Sequence, residues 1–134
     1  MAYLEYVPPI RVRDEWERIW RVIRPAVKLD KARDKTDVQL QALFGGFQFW
    51  KPGAPLKGYV VTQFYEGDCW VIYAAGKGAG IGDKRALMAL IEEMARDHKC
   101  NAIRFEGRDW RRVFPDFEAV ATGEGRWSFT KRIG

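Results

Sequence analysis

Apolar positions in this chain switch between a period of two and a period of three to four, and the switches divide it into elements. Leu4-Glu5-Tyr6-Val7 alternates weakly and predicts a short strand that Pro8-Pro9 ends. From Arg13 to Val27 the residues Trp16, Ile19, Trp20, Ile23 and Val27 fall on one face of a helix, with Arg18, Arg21, Arg24 and Lys28 elsewhere on it. Asp14 and Glu15 suit its first turn. A tryptophan stripe of this kind can line a ligand groove, but at helical spacing it is more often core. Pro25 removes a backbone hydrogen bond, which predicts a kink or an end near Arg24. Lys28 to Lys35 has mixed charge and reads as a solvated loop or helix end. Thr36 or Asp37 can cap a second short helix, Val38 to Leu43, stopped by Gly45-Gly46.

The period of two then returns. Phe47 to Trp50 reads as a strand, Lys51 to Pro55 as a turn, and Tyr59 to Tyr65 as a strand. Glu66-Gly67-Asp68 makes a hairpin into Cys69 to Ala75. The Cys69 strand runs into Gly76-Lys77-Gly78-Ala79-Gly80-Ile81-Gly82. Asp83 can cap the helix that follows, in which Leu87, Leu90, Ile91 and Met94 recur at helical spacing. Asn101 to Phe105 returns as a strand, so an antiparallel meander leads into one βαβ unit. A glycine loop opening a helix presents backbone N–H groups and the positive end of the helix dipole, which suits an anion. Asp109 can cap one or two helical turns before Pro115. Phe117 to Ala121 and Arg126 to Arg132 then form a closing hairpin about the turn Thr122 to Gly125.

Composition narrows the class. With 134 residues, 47% apolar and six Trp, the chain suits one domain, residues 1–134, with one core rather than a disordered segment. No apolar run is long enough for a transmembrane helix, and Met1 to Ile10 lacks the basic start and apolar stretch of a secretory signal, so a cytoplasmic location is expected. Cys69 and Cys100 read as buried free thiols. His98 reads as a helix C-terminal residue rather than a triad member, and the spacings of a metal site are absent. A net charge of +5 permits nucleic acid or coenzyme A without selecting either, and no nucleic-acid motif accompanies it.

The element order and the loop Lys77-Gly78-Ala79-Gly80-Ile81-Gly82 resemble the GNAT superfamily of acetyl-CoA-dependent N-acetyltransferases, whose pyrophosphate loop reads Gln/Arg-x-x-Gly-x-Gly/Ala. A dinucleotide-binding loop is the competing glycine reading, but such a unit usually comes early and repeats. Gly107-Arg108-Asp109-Trp110-Arg111-Arg112-Val113-Phe114-Pro115-Asp116-Phe117 further resembles a Gly-Arg-x-x-Trp segment of small GNAT-like proteins of tailed bacteriophages. The resemblance implies an α+β fold with a mixed, mostly antiparallel sheet, a central βαβ unit and helices on both faces. It implies acetyl-CoA as cofactor, held by Lys77, Gly78, Gly80, Gly82, Lys84 and Arg85. It also implies a protein or small-amine acceptor, and a place in the bacterial host cytoplasm or the virion.

Where many family members carry an acidic Tyr, this chain offers Trp110 and Phe114, and no Tyr follows Tyr73. Glu66 and Glu106 are candidate bases, although such residues are more often surface carboxylates; Asp68 is a third acid near the meander turn. Arg108, Arg111 and Arg112 around Trp110 suit a phosphate or a partner protein, or else form a solvated face with Trp110 buried. Two expectations follow: a transferase with an open cleft between the Cys69 and Asn101 strands, or a non-catalytic virion or accessory protein using the fold as a scaffold.

Overall fold

The computed structural model describes residues 3–76 and 80–134. Its elements in chain order are β1 (Leu4–Val7), α1 (Pro9–Asp14), α2 (Trp16–Asp30), α3 (Lys35–Leu43), β2 (Gln48–Pro52), β3 (Tyr59–Tyr65), β4 (Asp68–Ala75), α4 (Ile81–Asp97), β5 (Ala102–Gly107), β6 (Glu118–Gly123) and β7 (Arg126–Arg132). The strands form one seven-stranded sheet in the order β1-β2-β3-β4-β5-β7-β6. The β4–β5 pair is parallel and the other five neighbouring pairs are antiparallel. Helix α4 is the crossover that a parallel pair requires.

Each face of the sheet buries its own core. One is filled by Trp16, Ile19, Ile23 and Val27 of α2, Val38 and Ala42 of α3, and Phe49, Val61 and Tyr73 of the sheet. The other holds Ile91, Met94 and Ala95 of α4 against Val60, Cys69, Ile103, Phe105 and Phe129. Neighbours such as Val60 and Val61 therefore serve opposite cores, as the alternation of a strand demands. Of the α2 tryptophans, Trp16 is core and Trp20 packs half-buried against it.

Several helix boundaries differ from expectation for local reasons. The chain turns helical at Pro9, where a missing N–H costs nothing, so α1 precedes the expected helix. Pro25 does not end α2, which continues to Asp30. Pro25 is exposed, while Ile23 and Val27 on either side are buried and pin the helix to the sheet. Helix α3 starts at Lys35, not Val38. Asp34 is its cap, accepting from the Asp37 N–H at 2.9 Å while the Asp37 carboxylate accepts from the Asp34 N–H at 3.0 Å. Asp37 is therefore the third helical residue of a capping box. Likewise Gly80, not Asp83, occupies the N-cap position of α4, where it supplies no side-chain bond, and Asp83 sits in the first turn, where the dipole still favours it. The segment after β5 forms a turn rather than a helix: Val113 and Phe114 both donate to the Trp110 carbonyl.

His98 behaves as a helix-end residue. Its Nδ1 lies 2.9 Å from the Met94 carbonyl, and its ring stacks on Phe64 at 5.1 Å. Cys69 and Cys100 are free and buried. Burial pushes the Cys69 thiol up to about 12. Among the described residues no helix is long and apolar enough to cross a membrane.

Two outcomes test this layer of the account. Asp34→Ala should cost about 1 kcal/mol in urea denaturation, the usual worth of a lost cap; an unchanged midpoint would contradict the capping box. Cys69, held as the thiol in the fold, should resist iodoacetamide at pH 9 and react once urea unfolds the chain. Because the unfolded thiol ionises first, the fold should also lose stability as pH rises above the ordinary thiol range. A flat stability profile from pH 8 to 10 would contradict it.

Candidate functional site

The site begins where a pairing stops. Strands β4 and β5 are in register at only two positions, Cys69 with Ile103 and Trp70 with Arg104. Beyond Trp70, β4 continues for five residues to Ala75, and β5 for three to Gly107, without a described ladder between them. On its other side β4 stays paired with β3 as far as Tyr59–Ala75. The strands thus part at their carboxyl ends, and the β5-facing edge of β4 is left for another partner.

Two features shape that edge. The β3–β4 register jumps from Val61–Tyr73 to Thr62–Val71, leaving Ile72 as an extra residue. A bulge of this kind bends its strand and re-aims the backbone. At the strand's end the backbone crosses the approach to β3. Gly58, at φ +109°, lies so close to Ala75 that an added Cβ would sit 1.9 Å from the Ala75 carbonyl oxygen; one on Gly76 would sit 2.3 Å from that of Lys57. Only glycine fits either place, so the exit of β4 is fixed.

The chain then reaches the N-terminus of α4. Among the described residues nothing lies within 4 Å of where a Cβ on Gly80 or Gly82 would stand, and no side chain caps the helix. Lys77 and Gly78, the first residues of the expected phosphate loop, lie outside the described residues. Lys84 and Arg85 diverge within the first two turns. The Lys84 ammonium lies 5.4 Å from the Trp110 ring centre. The Arg85 guanidinium donates to the Val113 carbonyl at 2.9 Å and the Arg112 carbonyl at 3.1 Å. Arg85 thereby ties the turn after β5 to α4, and it meets two carbonyls where a phosphate was expected.

The cluster named for partner binding joins this wall. The Arg108 guanidinium lies 4.4 Å from the Trp110 ring centre, so the indole carries two cations. Arg111 makes a bidentate pair with Asp109, at 2.8 Å for each bond, and lies 3.9 Å from the Trp127 ring centre. That pair holds the Asp109 carboxyl down at about 2. Arg112 is exposed and supplies a carbonyl to Arg85. Trp110 and Phe114 pack against the aromatic group of Phe105, Phe117 and Phe129 on the α4 side.

The acid candidates separate. Glu66 occupies the β3–β4 turn, at φ +51°, and the adjoining Gly67 carbonyl accepts from Asn101, which precedes β5. This is the closed end of the parallel pair, about 25 Å along the strand from the parted end. Glu106 stands near the end of β5, exposed, opposite Ser128. Its neighbour Phe105 faces the α4 core, so Glu106 projects from the other face of the sheet. Asp68 pairs with Arg104 at 2.6 Å, and Arg104 stacks at 5.8 Å from the Trp70 ring centre. Nothing in the spacing marked this ion pair, because its partners are 36 residues apart. Tyr73 donates to Asp30 at 2.8 Å, and burial with that bond raises its phenol to about 12.

Two concave regions lie beside β5, one on each face of the sheet. One, about 320 Å³, lies between α4 and residues 113–117, where Lys131 reaches Glu92 at 2.8 Å and Asp116 at 2.6 Å. The other, about 400 Å³, lies on the opposite face over β5, β7 and β6. Among the described residues no group of acids, cysteines and histidine could hold a metal.

No family model matches this chain, and no curated protein matches it in sequence. Solved structures match its fold. It is similar to the ribosomal-protein-S18-alanine N-acetyltransferase of Escherichia coli at a TM-score of 0.70 and 11% identity, over 100% of this chain and 95% of that one. A GNAT-family acetyltransferase of Staphylococcus aureus matches at 0.65 and 10% identity over 100% of both chains. An aminoglycoside acetyltransferase in complex with coenzyme A and kanamycin matches at 0.60 and 15% identity, over 98% and 95%. The chain thus has the mixed α+β fold of the GNAT acetyltransferases.

Arg85→Ala should release two carbonyls and cost about 1 kcal/mol. Amide exchange at Val113 and Phe114 should accelerate while that of β3 stays unchanged. Equal protection in the variant would show that Arg85 does not hold this turn.

Proposed function

We propose that the protein is an acetyl-CoA-dependent N-acetyltransferase whose cofactor lies in the gap between β4 and β5. The observation that carries this reading is the parting of a parallel pair after Trp70, beside an uncapped helix N-terminus. A chain of amides such as pantetheine can pair with an unpaired strand edge, as an added strand does. Gly80 and Gly82, with the loop residues Lys77 and Gly78, would meet the pyrophosphate through backbone N–H groups. Lys84 and Arg108, both against Trp110, supply positive charge at the same end; Arg85 serves the turn instead.

Bound acetyl-CoA would supply an activated acetyl thioester, and the acceptor nitrogen would form the N–C bond as the C–S bond broke with its electrons on sulfur. Glu106 accepts the proton that the acceptor ammonium must first lose. Of the two protons left on nitrogen one would stay in the amide, and the other would pass through solvent to the departing sulfur, which would leave as thiol. Trp110 and Phe114 cannot supply that proton, and Tyr73 is committed to Asp30. The acid is therefore water, and a thiolate is a good enough leaving group to tolerate this.

A second reading is favoured by a different observation. Leu29 and Phe44 are 78% and 84% exposed, and Leu40 and Leu43 of α3 are also exposed. Apolar exposure of this kind suits a protein partner, and a phage GNAT-like component using the fold as a scaffold in a virion would need one. Under that reading the gap holds no cofactor.

Calorimetry with acetyl-CoA separates the two. Micromolar binding, abolished by Gly80→Trp, is expected; an added Cβ at Gly80 meets none of the described residues within 4 Å, and an unchanged circular dichroism spectrum checks that the variant folds. Absence of binding at millimolar ligand would sink the transferase. Glu106→Gln should lower turnover about a hundredfold with acetyl-CoA affinity unchanged, and unchanged turnover would remove Glu106 from the mechanism.

A further inference from the structure

Helices α1–α3 cover one face of the β1–β4 half of the sheet, and among the described residues nothing covers the β5–β7–β6 half of that same face. Its outward residues form two rows that the strand registers fix. Arg104, Thr130 and Glu118 stand opposite one another across β5, β7 and β6, with Trp70 of β4 beyond Arg104. Glu106, Ser128 and Val120 form the row beside it, nearer the parted ends of β4 and β5. Ile103, Phe105 and Phe129 face the α4 core, so these alternating residues all project to the other side. Glu118 and Val120 are exposed, and Ser128 and Thr130 are half-buried. They line the concave region of about 400 Å³.

We infer that this open face binds the acceptor as an extended polypeptide, with its free N-terminal amine at Glu106 and the following residues laid across Ser128 and Val120. The inference rests on the transferase reading and adds the substrate class to it. Strands are about 4.8 Å apart, so the row from Glu106 to Val120 spans about 10 Å, the reach of about three extended residues.

Shape selects this occupant, and the carboxylate of Glu106 suits its amine. A small amine is held by a pocket that surrounds most of its surface, whereas a sheet face touches a ligand on one side only. A ligand here must gain contact through length. The hydroxyls of Ser128, Thr130 and Thr122 and the aliphatic Val120 offer the mixed contacts that a backbone and short side chains use. Arg104 is already neutralised by Asp68. Among the described residues Glu106 and Glu118 have no ion pair, so the face presents unpaired carboxylates where a cationic terminus would arrive. Arg126 and Arg132, at the two ends of β7, are the other cations of this face.

The test is an amide chemical-shift map of the full chain, without acetyl-CoA. The probes are a pool of hexapeptides with free N-termini, the same pool N-acetylated, and the small amines spermidine and lysine. The expected result is shifts over 104–106, 118–122 and 128–132 with the free pool, several-fold weaker with the acetylated pool. Val120→Arg should abolish them, and Val120 is 57% exposed, so this change keeps the fold. Shifts confined to other surfaces, equal response to both pools, or response to the small amines alone would overturn the inference. Calorimetry with acetyl-CoA runs in parallel. Peptide binding without acetyl-CoA binding would sink the transferase and leave a peptide-binding face, while acetyl-CoA binding without peptide binding would sink only the present inference.

Discussion

The structure turns on the shortness of one ladder. A parallel pair joined by a crossover helix would ordinarily zip along its whole length, because each unpaired backbone group that is buried costs free energy. Here β4 and β5 share two register pairs and then part. Several local features agree with that parting. The extra residue Ile72 bends β4. The close approach of Lys57-Gly58 to Ala75-Gly76 holds the strand's end against β3. On the far side, β5 is drawn to β7 along six register pairs, from Ala102–Arg132 to Gly107–Trp127. Each strand is thus held by its outer neighbour, and the gap between them is built rather than incidental.

The gap gives access to both faces of the sheet, and the two faces differ. On the α4 side stand the helix N-terminus, Lys84, and Arg108 against Trp110, a cationic and aromatic wall. On the other side Glu106 stands opposite Ser128, and Glu118, Arg104 and Arg126 share its face. Arg85 links the parts of the first wall, since its two hydrogen bonds fix the turn that carries Trp110. The positive charge of the sequence is therefore distributed unevenly in function: part of it is internal glue, as in Arg85, Arg104 and Arg111, and part faces the helix terminus.

Much of this was legible in the chain. The strands Tyr59 to Tyr65 and Arg126 to Arg132 matched their expected bounds, because turn signals flank clean alternation. The α2 core face was readable from its spacing. Boundaries were missed where a single local rule met a tertiary one: Pro25 should break a helix, yet Ile23 and Val27 are anchored in the core on either side. The Asp34 cap was hidden because Thr36 and Asp37 are equally good capping residues two and three places on. The bulge was not readable, since Val71 and Ile72 sit in an unbroken apolar run with no alternation to interrupt. Arg104, Asp68 and Trp70 could be brought together only by the fold. Of the acids, the βαβ reading already put Glu66 and Glu106 at opposite ends of the parallel pair, while the face from which Glu106 projects came only with the fold.

The most direct measurement is the position of acetyl-CoA on the sheet, read from backbone amide shifts of the labelled chain. The account predicts that the largest shifts fall on Val71 to Ala75, at Gly80 and Gly82, and at Gly107 and Trp110, with β1 and β2 undisturbed. Shifts spread over α2 and α3, or confined to the groove beside Lys131, would place the ligand elsewhere and contradict the gap as the cofactor site.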